Sequence, residues 1–171
     1  GTTFELVSRR RIADFKDDGQ TNNNRRYGAM GQGIAVSDDG VYVAICAFNT
    51  DRVIFYKKKD GVDEWDIVNN AYEFSTSESY FGTASNGGYG GVAMSGDGVY
   101  VSFSSGLAGS EVTGRSGDMV VFKREDSDNG SEYTIEATRS DIAPHNGYVT
   151  NEGFGKSTAL NYDGTIMAVG A

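Results

Sequence analysis

Cysteine, proline and histidine are almost missing from this 171-residue chain, which holds one of each. A lone Cys46 excludes an intrachain disulfide, and its place in the apolar run VYVAICA marks it as a small buried hydrophobe. The lone His145 excludes a two-histidine metal centre, and its polar surroundings, Pro144-His145-Asn146-Gly147, suggest an exposed ring. No stretch approaches the roughly 18 consecutive apolar residues of a membrane helix, so no membrane insertion is expected of this segment. Basic charge is also short: 15 Lys and Arg face 24 Asp and Glu, for a net charge of −9. Such an acidic surface repels phosphate backbones and argues against nucleic acid as a partner. Arg9, Arg10, Arg11, Arg25 and Arg26 are local exceptions, read as solvated faces.

Catalytic signatures are missing too. There is no P-loop, dinucleotide fingerprint or nucleophile elbow. No pair of carboxylates sits in an apolar setting that would split their pKa values. The chain is therefore read as a non-enzyme. It starts at Gly1 without a signal peptide, which reads as a mature product or a fragment.

What the chain does hold is 24 glycines, 10 tyrosines and 9 phenylalanines. Aromatic and β-branched residues suit half-buried strands, while Gly, Asn and Asp suit tight turns. The pairs Asp39-Gly40, Asp97-Gly98 and Asp163-Gly164 each lie between short apolar runs, spaced by 58 and 66 residues. The three segments are GIAVSDDGVYVAICA, GVAMSGDGVYVSFSS and STALNYDGTIMAVGA. Each predicts a hairpin closed by a two-residue type I′ turn at Asp-Gly. The match continues on both sides. Met30-Gly31-Gln32-Gly33 aligns with Phe154-Gly155-Lys156-Ser157, and Arg52–Lys57 with Asp118–Lys123. An aromatic-anchored element closes each unit, at Phe4, Trp65 and Tyr133. Four short strands and no helix per unit are the signature of a propeller blade.

These residues resemble the FG-GAP repeat of integrin-α-type propellers. Phe154-Gly155 and Gly170-Ala171 match the two halves of the motif best, whereas Cys46-Ala47 and Ser104-Ser105 stand where Gly-Ala is expected. Propellers with S-P-D-G hairpins are disfavoured, since they repeat at about 40 residues. Sialidase Asp-boxes are disfavoured by the Asp-Gly spacing and the missing Trp. The expected fold is all-β, a propeller of four-stranded antiparallel blades that is incomplete in this chain. Strands A and B flank Asp-Gly, C is the RVIFYK type and D is aromatic-anchored. One leading D strand near residues 3–10, two full blades and half of a third make up a single partial propeller over 1–171. Its repeats span approximately 1–61, 62–129 and 130–171. Ala35, Ala93 and Ala159 are expected buried in the innermost strands, and Trp65 mostly buried in the sheets, together with Phe4 and Tyr133. The open edges call for further blades, from more chain or from another copy.

The family often binds Ca²⁺ through D-x-D-x-D-G-x-x-D between strands A and B. Here the outer ligand positions fall on Ala35 and Val43, Ala93 and Val101, Ala159 and Met167, so no metal is expected at the three turns. The acidic stretch Asp126, Asp128 and Glu132 in a C–D connection is a weak calcium candidate. The D–A connections 14–30, 74–89 and 138–153 and the B–C connection 105–117 are long, and all fall on one propeller face. The resemblance makes that the ligand face. Its candidates are Arg25, Arg26, Tyr27, Tyr80, Phe81, Tyr89 and Tyr148, because Tyr and Arg favour interface hot spots. The expected function is a non-enzymatic binding or structural module, for adhesion or assembly, of a larger extracellular or surface protein. Its expected partners are proteins or the remaining blades. The alternative is an enzyme or lectin-like propeller whose site needs blades absent from this chain.

Overall fold

The computed structural model describes residues 30–47, 52–62, 64–68, 72–73, 91–105, 118–127, 130–138, 155 and 157–170. Every regular element among them is a β-strand, and every strand pairing is antiparallel. The protein is all-β. The first sheet runs in the order β1 (Met30–Val36), β2 (Tyr42–Ala47), β3 (Arg52–Lys58) and β4 (Trp65–Ile67), with β5 (Tyr72–Glu73) also on β3. The second runs β6 (Val92–Met94), β7 (Tyr100–Ser105), β8 (Asp118–Ser127) and β9 (Gly130–Thr138). The third holds β10 (Ser157–Leu160) and β11 (Met167–Gly170). The expected strand at 3–10, with Phe4, lies outside the described residues.

The first sheet departs from four strands because two separate segments, β4 and β5, pair with β3. β4 pairs Tyr56 with Ile67 and β5 pairs Val53 with Tyr72, leaving four residues opposite two. At the matching place in the second sheet, the register shifts between Val121 and Phe122, and β9 continues through. One extra residue makes a bulge that a strand survives.

The sheets stack in chain order. β6 packs on β1 and β2, and β10 packs on β6 and β7. Alternation along each strand sends one set of side chains forward to the next sheet and the other back to the previous one. From the first sheet, Tyr42, Ala44, Cys46, Val53 and Phe55 point forward. From the second, Val101, Phe103, Val120, Phe122 and Tyr133 point back, and together these form the core cluster. The Phe55 ring stacks on Tyr133 at 4.1 Å and meets Phe103 and Phe122 edge-on at 5.9 and 5.2 Å. Edge-on and offset pairs of this kind add to the area that the rings bury.

In both junctions the forward face is lined with small residues near its inner edge, and larger ones enter from the following sheet. A side chain at Gly33 would run into Val92 and the Cys46 sulfur. A Cβ on Gly91 would lie 2.7 Å from the Thr158 backbone nitrogen. Ser102 and Ser104 are buried on the forward face of β7, and the Ser102 hydroxyl lies 2.8 Å from that of Thr158.

The expected burial of the three alanines needs correction. Ala35 and Ala93 are half-buried rather than buried, and Ala159 is exposed. All three point forward, and no described sheet packs on the side that Ala159 faces. Trp65 is mostly buried, as expected, though less so than its equivalent Tyr133. Tyr133 points back onto the first sheet, while Trp65 points back to a side with no described sheet.

Candidate functional site

The Asp-Gly hairpins are the best-defined polar feature of the described structure. Their geometry differs from a two-residue turn. The Ser37 N–H donates to Tyr42 O at 3.0 Å, and the Gly40 N–H donates to Ser37 O at 2.9 Å. The ladder therefore closes at Ser37 and Tyr42, leaving a four-residue loop built on the 37–40 turn with Gly40 at φ 68°. The second hairpin repeats this, with Ser95 N–H to Tyr100 O at 2.9 Å and Gly98 N–H to Ser95 O at 2.9 Å. The third uses Asn161 with Ile166 and Gly164.

Side chains lock each loop in the same way. The Ser37 hydroxyl donates to Asp39 Oδ1 at 2.6 Å and accepts from the Tyr42 N–H at 2.9 Å. The Val41 N–H donates to the same carboxylate oxygen at 2.8 Å. Ser95, Asp97, Val99 and Tyr100 reproduce the arrangement at 2.6, 2.9 and 2.8 Å. In the third loop Asn161 takes the serine's place. Its Oδ1 accepts from the Ile166 N–H at 2.8 Å, and its Nδ2 donates to Asp163 Oδ1 at 2.8 Å. The carboxylate oxygen Oδ1 of each loop aspartate is thus engaged by its own hairpin.

Successive loops are tied to each other. The Asp38 N–H donates to Gly96 O at 2.9 Å, and the Asp97 N–H donates to Tyr162 O at 3.2 Å. A tyrosine from each hairpin lies over the glycine of the next: Tyr42 on Gly98 and Tyr100 on Gly164. At the first junction a clamp from the second sheet completes the contact. Tyr133 donates its hydroxyl to Gly98 O at 2.6 Å, Arg124 donates to the same oxygen at 2.9 Å, and its guanidinium sits 3.9 Å from the Tyr42 ring centroid. Burial pushes the Tyr133 phenol up, so it remains a donor at neutral pH.

The loop carboxylates make stability depend on pH. The Ser37 hydroxyl, then the Val41 N–H and Arg124, hold Asp39 below its ordinary value of 3.8. The Thr165 hydroxyl and N–H, with Asn161, do the same for Asp163. A carboxyl with a depressed folded pKa contributes stability above the unfolded value and loses it as pH falls through the folded one. The melting midpoint should therefore drop on acidification from pH about 5 to about 2. The double variant Asp39→Ala, Asp163→Ala should start lower at neutral pH and fall less steeply across that window. Equal acid slopes would contradict this assignment.

The candidates Arg25, Arg26, Tyr27, Tyr80, Phe81, Tyr89 and Tyr148 all lie outside the described residues, as do His145 and the connections that carry them. Asp128 lies outside them as well. The described residues on either side of it are strand rather than loop. Asp126 pairs with Ser131 and Glu125 with Glu132, which sends Asp126 and Glu132 to opposite faces of the ladder. Asp126 instead pairs with Arg124 at 3.3 Å. Burial pushes the Cys46 thiol up to about 12, which makes it inert rather than nucleophilic. A shallow groove of about 400 Å³ beside the first hairpin, lined by Asp39, Val41, Lys58, Lys59 and Asp60, mixes charges without focusing them. Sequence reasoning missed the serine lock, the tyrosine-over-glycine contact and the arginine clamp. The first two were written in the repeated spelling S-x-D-G-V-Y.

No protein-family model matches the chain, and no curated protein matches it. Among solved structures, the crystal structure of TolB from Acinetobacter baumannii is similar to it, with 13% identity and a TM-score of 0.32. That similarity covers 83% of this chain and 37% of the TolB chain.

Proposed function

We propose that the chain is part of a β-propeller of FG-GAP-like repeats and works as a non-enzymatic binding or structural module of an extracellular or surface protein. One observation carries the repeat reading: a like junction occurs twice, with loop bonded to loop through donors one position apart and tyrosine laid on glycine. A unit that joins its successor in one fixed way builds an array, and arrays present their connections as an extended binding surface. On this reading the long connections 14–30, 74–89 and 138–153 carry recognition, and Arg25, Arg26 and Tyr27 are its anchors. The absence of recognisable catalytic motifs in the sequence agrees with binding rather than turnover.

The test uses beads coated with the full chain and measures their attachment to cells. Alanine at Arg25, Arg26 and Tyr27 together should lower attachment at least about tenfold and leave the melting midpoint unchanged. Attachment no greater than that of albumin-coated beads would contradict the proposal.

A further inference from the structure

Four Asp-Gly pairs lie among the described residues, and only three of them sit in the locked hairpins. The fourth, Asp60-Gly61, turns the chain between β3 and β4; another, Asp18-Gly19, lies outside the described residues. An aspartate followed by glycine can close on its own backbone, because no Cβ shields the glycine nitrogen from the aspartate Cγ. Closure needs a glycine nitrogen free to be approached and a carboxyl group free to rotate over it.

The three hairpins withhold both. The Gly40 and Gly98 N–H groups donate to Ser37 O and Ser95 O at 2.9 Å, and the Gly164 N–H donates to Asn161 O at 3.1 Å. The carboxylates of Asp39 and Asp97 each accept a serine hydroxyl at 2.6 Å and a backbone N–H at 2.8 and 2.9 Å. Asp163 accepts from the Thr165 hydroxyl at 2.6 Å, Asn161 Nδ2 at 2.8 Å and the Thr165 N–H at 3.1 Å. Asp60-Gly61 has neither lock. Among the described residues, nothing donates to the Asp60 carboxylate and nothing accepts from the Gly61 N–H. Both residues are exposed, and a Cβ on Gly61 would meet nothing within 4 Å. Exposure alone does not set this pair apart, since Asp39 and Asp163 are exposed as well. The turn is held at its base, where the Lys59 N–H donates to Glu64 O at 2.8 Å and Lys58 pairs with Trp65.

We infer that Asp60-Gly61 is a site of self-modification, where aspartate converts to isoaspartate through a succinimide. The Gly61 nitrogen attacks Asp60 Cγ. A C–N bond forms, the C–OH bond breaks, and the nitrogen's proton leaves with the hydroxyl as water. Water then opens the ring. Cleavage at the side-chain carbonyl restores aspartate; cleavage at the former backbone carbonyl leaves the chain running through Cβ and Cγ, with a free α-carboxylate. No mass is gained or lost, and water is the only co-reactant. The product adds a methylene to the backbone of a turn outside the strand ladder, so the sheet survives. It also moves a carboxylate on the wall of the groove beside the first hairpin.

Peptide mapping of the aged chain tests the inference. The full chain is held folded near neutral pH for several weeks and digested, and each Asp-Gly peptide is scored for isoaspartate by electron-transfer fragmentation. Asp60 should isomerise at least about tenfold faster than Asp39, Asp97 or Asp163, because only the hairpin pairs must first break hydrogen bonds. In urea the locks are gone, and the four rates should converge. β-sheet circular dichroism of the aged chain should match that of the fresh one. A rate at Asp60 no higher than at the hairpin aspartates would overturn the inference by showing that the open turn gives no access. A lead for Asp60 that persists unchanged in urea would overturn it too, because neighbouring sequence rather than the fold would then set the rate.

Discussion

Phe55→Ala should lower the unfolding free energy by about 3–5 kcal/mol, the range for emptying a large aromatic site in a packed core. Phe55 is 2% exposed and touches three aromatic rings of the second sheet. Its loss removes dispersion contacts from both sheets at once and leaves a void that rigid strands close poorly. Domains are stable by only about 5–15 kcal/mol, so the variant should unfold at markedly lower urea with little change in slope. Val62→Ala, at a site 49% exposed, should stay within about 0.5 kcal/mol of wild type. A Phe55→Ala loss below about 1 kcal/mol would mean that the first two sheets do not share a core.

The strands were largely legible because period-two patterning and Asp-Gly punctuation agree at the same places. The first and second hairpins, the RVIFYK-type strands and the aromatic-anchored strands at Trp65 and Tyr133 fall where the repeat puts them. The loop type was misread for a physical reason. Asp-Gly alone suggests a two-residue turn, but Ser37 and Ser95 place hydroxyls where they bond Asp and the chain five residues on. That lock moves the closing pair outward by one residue on each side. Tyr133 and Trp65 show a second limit. Their sequence contexts match, yet burial depends on whether a sheet lies behind them, which no local pattern records. Ala159 fails for the same reason on the opposite side. The acidic stretch near Asp126 was misplaced because strand pairing outweighed composition: β8 and β9 extend to Ser127 and Gly130. Arg124 gave no signal at all, since a basic residue in the outer half of a strand reads as solvated until the Gly98 carbonyl and the Tyr42 ring are seen beside it.

Stability of alanine variants at the three loop glycines tests the repeated junction most directly. Gly40, Gly98 and Gly164 share nearly the same positive φ, at 68°, 67° and 69°. Backbone strain in the left-handed region is therefore common to all three, about 1–2 kcal/mol for a non-glycine residue. Their surroundings differ. A Cβ at Gly98 would lie 3.0 Å from the Tyr42 ring, 3.1 Å from Arg124 Nη1 and 3.2 Å from Ser37 Cβ, and one at Gly164 would run into the Tyr100 ring. Overpacking at such a site adds about 1–3 kcal/mol. A Cβ at Gly40 would meet nothing within 4 Å, so Gly40→Ala should show the strain alone. Gly98→Ala and Gly164→Ala should each lose about 1–3 kcal/mol more. Equal losses at all three glycines would contradict the stacked junction, because they would show that no preceding hairpin lies over the second and third loops.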